Sequence, residues 1–170
     1  VIAMLRDNDA SRHVWLDREI GALSGMAAGA IAIESSTLTS GWIQELGTHM
    51  QHARVALLEA PVSGSRAQAD ARQLAYLAGG EEEVLERCLP LLRVMGSSVH
   101  HVGGLGHGAL AKLATNAMLG IQVTGLAEVI GLLERNGADA SRVLAAMAGT
   151  SVWPPVAAYL SGSMMTENFA

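Results

Sequence analysis

Residues 99–116 read VHHVGGLGHGALAKLATN: a short β-like run, a glycine cluster from Gly103 to Gly108, then an apolar stretch of helical spacing that carries Lys112 and Asn116. Before this stretch, strand and helix signals alternate along the chain. After it, every apolar run has helical period and nothing repeats with period two. The chain therefore reads as an α/β part, residues 1–103, followed by an all-α helical part, residues 104–170.

Upstream of the glycine cluster, the apolar runs at residues 1–5, 30–33, 55–58, 73–78 and 99–102 read as strands, and the segments between them suit crossover helices. That is the pattern of a parallel sheet. Asp9 or Ser11 is expected to cap a helix carrying Val14 and Leu16, and Thr39 to cap one whose apolar face is Trp42, Ile43, Leu46 and Met50. Residues 34–37 turn the chain, residues 61–65 form a loop, and Glu81-Glu82-Glu83 suits the positive end of a helix. Downstream, Asn136-Gly137 and residues 149–155 divide three helices.

Composition narrows the function classes. Of 170 residues, 50% are apolar and 16% charged, which excludes disorder. A net charge of −5 leaves no basic surface for a phosphate backbone, so nucleic acid is not an expected partner. A mean hydropathy of +0.30 predicts subunit contacts and hence a homo-oligomer, a dimer or tetramer. The single cysteine, Cys88, fits a reducing, cytoplasmic setting. Residues 113–127 and 143–166 are apolar, but Thr115, Asn116, Gln122 and Thr124 interrupt the first and Pro154-Pro155 the second. Both read as buried helices, and no membrane partner is expected. The six histidines show no metal-ligand spacing, and no G-x-S-x-G elbow is present. The chain opens on an apolar run with no initiator Met and reads as a fragment.

Lys112 is the only lysine, the other ten basic residues being arginine. Arginine keeps its proton, whereas burial can bring a lysine amine into a range where it gives and takes one. Gly108, Lys112, Asn116 and Gly120 are spaced four apart and form one row on a helix, with Leu110, Leu113, Ala114 and Ala117 flanking the amine. Two readings stay open: a desolvated proton shuttle with Asn116 beside it, or a snorkelling lysine beside a structural asparagine. Ser63-Gly64-Ser65 stands where open parallel sheets bind ligands, and it also has the composition of a plain turn. The glycine cluster is one residue short of G-x-G-x-x-G, so a tight turn describes it better than a phosphate cradle.

Glu34-Ser35-Ser36-Thr37, residues 60–65 (APVSGS), Gly79-Gly80, His101-Val102-Gly103 and residues 108–116 (GALAKLATN) together resemble the β-hydroxyacid dehydrogenases, in that family's order and spacing over essentially the whole chain. The resemblance implies a Rossmann-type domain binding NAD or NADP, here its C-terminal part, and the start of a 6-phosphogluconate dehydrogenase-like helical domain that completes the substrate pocket and dimerises. It implies that Lys112 is the catalytic base and that Ser63, Gly64 and Ser65 hold the carboxylate of a small substrate while Asn116 orients it. Leu5, Arg6 and Thr37 would lie along the nicotinamide. The implied reaction interconverts a small β-hydroxy acid of the 3-hydroxyisobutyrate kind and its semialdehyde.

Four positions depart from the family pattern: Arg6 stands for proline, Glu34 for aspartate, Ser65 for a second glycine, and Thr115 for a frequent asparagine. The resemblance places the family's N-terminal glycine fingerprint before this stretch and its later segment with a second cofactor-contacting lysine after it, so the 170 residues read as that family's middle. A rival expectation follows from this: a catalytically silent, truncated remnant that mainly homo-oligomerises.

Overall fold

The computed structural model of the chain describes residues 1–167 and divides into two compact units, Val1–Thr115 and Asn116–Ala170. In the first, β1 (Ile2–Ala3), β2 (Ile31–Glu34) and β3 (Ala56–Glu59) run parallel, joined by α1 (Asn8–Leu16) and α2 (Ser40–His52). Then come β4 (Val62–Ser63), the short α3 (Arg66–Asp70), β5 (Leu74–Gly79), α4 (Glu82–Met95), β6 (Gly96–Gly103) and the first turns of α5 (His107–Arg135). The α/β layering expected from the alternating signals is present.

The sheet is mixed rather than wholly parallel. Its order is β1-β2-β3-β5-β4 with β6 also on β5; β5 pairs antiparallel with β3 and β4, and parallel with β6. Connection length explains the reversal. Parallel neighbours need a crossover of a dozen or more residues, which α4 supplies between β5 and β6, whereas the segment holding α3 is too short to carry β5 back alongside β4 in the same direction.

Side chains alternate across the strands and feed two apolar layers. Ala3, Ala32 and Leu57 face Trp15 of α1 and the α2 row Trp42, Ile43, Leu46 and Met50, all buried as that row's spacing predicts. Ile33, Leu58 and Tyr76 face Leu85, Cys88 and Leu92 of α4 on the other side. Thr39 caps α2 by accepting from the Trp42 N–H at 3.3 Å. The cap of α1 is Asp7, whose Oδ1 accepts from Ala10 N–H at 2.8 Å, and not Asp9 or Ser11. Asp9 lies within the first turn and Ser11 points inward; Ser11 and Trp15 are buried, Leu16 packs half-buried against the same core, and Val14 is exposed. Residues 61–65 are also more regular than a loop, since Val62 and Ser63 pair with Tyr76 and Ala75.

The second unit is all-helical, as expected: the remainder of α5, α6 (Ala140–Met147) and α7 (Ala157–Met165). Leu126 and Ile130 of α5 pack with Leu144 and Ala157, and Trp153 and Met164 join them. The expectation of a buried helix at residues 113–127 is not met. Met118, Leu119 and Ile121 are exposed, and α5 is long and apolar enough, by length and composition, to cross a membrane. The four polar residues interrupt its apolar surface without covering it.

Candidate functional site

The parallel strands β1, β2 and β3 end on one edge of the sheet, and the loops leaving them are tied together there. Leu5 N–H donates to Ser36 Oγ at 2.6 Å, joining the loop after β1 to the loop after β2. One turn further, Asn8 Nδ2 donates to Thr39 Oγ1 at 2.9 Å while Thr39 N–H donates to Asn8 Oδ1 at 3.1 Å, which clasps the start of α1 to the start of α2. This edge carries the three residues expected along a nicotinamide. Leu5 is half-buried, Thr37 is exposed, and Arg6 is exposed with an ion pair to Asp7 at 3.0 Å.

Under this edge lies Glu34, fully buried. Its Oε2 accepts from Ser11 Oγ and from the Trp15 indole, each at 2.7 Å, and its Oε1 from Ser36 N–H at 3.0 Å. Trp42 donates in turn to Ser11 Oγ at 2.9 Å. The glutamate thus braces the turn that presents Thr37.

Ser63 closes β4, half-buried. Gly64 follows at φ +138°, a left-handed conformation that suits glycine, and a Cβ there would sit 2.9 Å from Leu74 Cδ2. Ser65 caps α3, and its N–H donates to Gln68 Oε1 at 2.8 Å while its hydroxyl also contacts that oxygen. The polar groups of Ser65 are therefore engaged by Gln68. Of the two contacts only the hydroxyl's needs serine, and Gln68 was not singled out by the sequence.

Lys112 stands in the second turn of α5, half-buried, and burial holds its ammonium below the ordinary lysine range. Among the described residues no carboxylate lies within ion-pairing distance of it, so nothing offsets the loss of hydration. Leu110 and Leu113, expected to shield the amine, are themselves exposed. Asn116 lies four residues further along α5, as the first residue of the second unit, and is exposed.

The glycine cluster is not a phosphate cradle. Its amides at Gly106, Gly108 and Ala109 already donate to the buried carboxylate of Glu59, at 2.5, 3.0 and 2.9 Å. An anion occupies the helix start from within the chain. Glu59 escaped the sequence reading, although a charged residue closing an apolar strand run was a visible signal. Among the described residues no group of three or more His, Cys, Asp or Glu side chains is placed to hold a metal.

For a nicotinamide dinucleotide, the β1–β2 edge offers the exposed Thr37 hydroxyl and the half-buried Leu5 side chain beside the starts of α1 and α2, while the Leu5 N–H and the Asn8 amide are engaged within the chain.

Comparison with known proteins places the fold and the family. Residues 1–103 match the family described as the NAD binding domain of 6-phosphogluconate dehydrogenase. The chain is 37% identical over 148 residues to an NAD-dependent L-serine dehydrogenase of Pseudomonas aeruginosa, covering 85% of this chain and 48% of that protein. It is 33% identical over 139 residues to a 3-hydroxyisobutyrate dehydrogenase of the same organism, covering 82% and 46%. Its fold superposes with a TM-score of 0.85 on the 3-hydroxyisobutyrate dehydrogenase of Mycobacterium tuberculosis solved with L-serine, at 30% identity, covering 92% of this chain and 52% of that one. The chain spans about half the length of the curated relatives it matches.

Proposed function

The chain belongs to the family of the NAD binding domain of 6-phosphogluconate dehydrogenase and to the β-hydroxyacid dehydrogenases, and from that membership we propose that the protein is an NAD(P)-dependent oxidoreductase of small β-hydroxy acids. The substrate proposed is 3-hydroxyisobutyrate-like, converted reversibly to its semialdehyde; L-serine, named in two of the similar proteins, carries the same β-hydroxy carboxylate. The observation that carries the reading is the lone lysine, half-buried and desolvated on α5.

Lys112 is the general acid/base. Desolvation raises the neutral fraction of its amine at any given pH, and a neutral Nζ accepts the proton of the substrate hydroxyl during oxidation. In reduction the ammonium returns that proton to the carbonyl oxygen. The bound nicotinamide supplies the hydride acceptor or donor. Ser63, Gly64 and Ser65 are assigned to the substrate carboxylate, Asn116 to orienting the substrate, and Leu5, Arg6 and Thr37 to the nicotinamide end of the dinucleotide. The nucleotide domain is assigned residues 1–103, and the helical part is assigned to substrate and subunit contacts in a homo-oligomer, for which the exposed Met118, Leu119 and Ile121 supply apolar surface.

The oligomerising remnant is not favoured, because the similar proteins over most of this chain are dehydrogenases. A panel of small β-hydroxy acids assayed with NAD⁺ and NADP⁺ tests the proposal. Oxidation of 3-hydroxyisobutyrate or a close analogue is expected; no turnover of any member with either cofactor would overturn it.

A further inference from the structure

Glu59 is a fully buried carboxylate at the end of β3, with no ion-pair partner among the described residues. Its Oε1 accepts from Gly106 and Gly108 and its Oε2 from Ala109. These are N–H groups that a helix leaves without intrahelical partners, at its positive end. An ordinary cap comes from the residue just before the helix. Here it comes from a sheet strand 47 to 50 residues earlier, so the bond fixes the helix start against the sheet.

The surroundings are shaped to admit this one group. A Cβ on Gly79 would overlap Glu59 Oε1, and one on Gly108 would lie 2.9 Å from Glu59 Cδ and 2.5 Å from the Leu77 carbonyl. Gly108 is also one turn before Lys112, and in an α-helix its carbonyl accepts the Lys112 N–H.

We propose that Glu59 is a positioning residue for Lys112: its carboxylate sets the first turn of α5, and through that turn the point from which the lysine side chain leaves the helix. The inference rests on the reading of Lys112 as the acid/base group. The titratable groups around Glu59 are Glu34, at the same register of β2, and His107, in the first turn of α5. Burial pushes the Glu59 carboxyl above the ordinary carboxylate range, against the pull of its three amide donors and His107.

Because Lys112 is the only lysine, lysine labelled with ¹³C at Cε gives one resonance. That resonance and the amides of Gly106, Gly108 and Ala109 are followed by NMR against pH in the full chain, for wild type and Glu59→Gln. In wild type the amides and the Lys112 signal should inflect together, above the ordinary carboxylate range, as Glu59 loses its proton. In Glu59→Gln that inflection should vanish from both, and the lysine's own midpoint should move by ~0.5 pH unit or more. In turnover assays Glu59→Gln should lower kcat about 10- to 100-fold with dinucleotide Kd unchanged. Amides that respond while the lysine signal and kcat do not would reduce Glu59 to a structural cap and overturn the inference. If Glu59→Gln does not fold, the wild-type titration decides alone, a lysine signal blind to Glu59 being the contrary result. A Lys112 that titrates at the ordinary lysine value and is dispensable for turnover defeats the acid/base reading; a depressed, indispensable lysine that ignores Glu59 defeats only this inference.

Discussion

Glu34 and Glu59 are register partners on the parallel neighbours β2 and β3, and both are fully buried. Their strands lie about 4.8 Å apart, and partners in register point to the same face of the sheet. Two carboxylates in that arrangement call for separate solvation, and each receives it. Glu34 takes a hydroxyl, an indole and one amide from the α1 side and its own turn; Glu59 takes three amides from α5. Neutral donors thus hold the two loops that frame the candidate site.

Removing one of these acceptors strands its donors. Glu34→Ala leaves the Ser11 hydroxyl, the Trp15 indole and the Ser36 N–H facing an apolar gap, and is expected to destabilise by ~2–4 kcal/mol. Urea unfolding measures it. A loss under ~0.5 kcal/mol would show that the network adds nothing.

The glycines beside Glu59 should divide sharply. Gly108→Ala drives a Cβ to 2.5 Å from the Leu77 carbonyl and should cost ~1–3 kcal/mol. Gly104→Ala meets nothing within 4 Å and should stay within ~0.5 kcal/mol of wild type. Equal unfolding midpoints for the two variants would contradict the packing described.

Much of this framework was legible from residue order, and the exceptions have physical causes. The α2 face was readable because Trp42, Ile43, Leu46 and Met50 repeat at helical spacing behind a threonine cap. Lys112 was readable because it is alone. The direction of β5 was not, since alternation has the same period in parallel and antiparallel strands and only the short link through α3 settles it. The α1 cap was missed because Asp7, Asn8 and Asp9 are all good capping residues, and sequence does not say which of them leaves the helix. Glu59 was missed because its donors are 47 to 50 residues away. Ser65 was identified, but not that Gln68 engages it.

That engagement is open to test. Gln68→Ala releases the Ser65 N–H and hydroxyl, and for a loop that holds a substrate carboxylate the expected result is a severalfold change in KM with dinucleotide Kd unchanged. An unaltered KM would remove Ser65 from the substrate site.

Stability and pH are linked at Lys112. Its amine is held below its unfolded value, so its favourable contribution is present only above the ordinary lysine range and is lost as pH falls through the lower folded value. At neutral pH the charged lysine therefore works against folding. Lys112→Met is expected to leave Tm at pH 7 unchanged or higher, by calorimetry, and a clear fall in Tm would contradict the desolvation described.

Glu59 shows the corresponding acid behaviour. Its folded value lies above its unfolded one, so its favourable contribution is present below the ordinary carboxylate range and is lost as pH rises through the higher folded value. The stability advantage of wild type over Glu59→Gln should accordingly shrink across that interval in urea unfolding at stepped pH. An advantage that grows with pH would mean that the three amides outweigh burial.

The most direct measurement is the steady-state turnover of Lys112→Met, which keeps the length of the side chain and removes its proton. With a small β-hydroxy acid as substrate, kcat is predicted to fall about 10²- to 10⁴-fold, with dinucleotide Kd within about twofold of wild type. Turnover within a few-fold of wild type would show that the proton passes elsewhere.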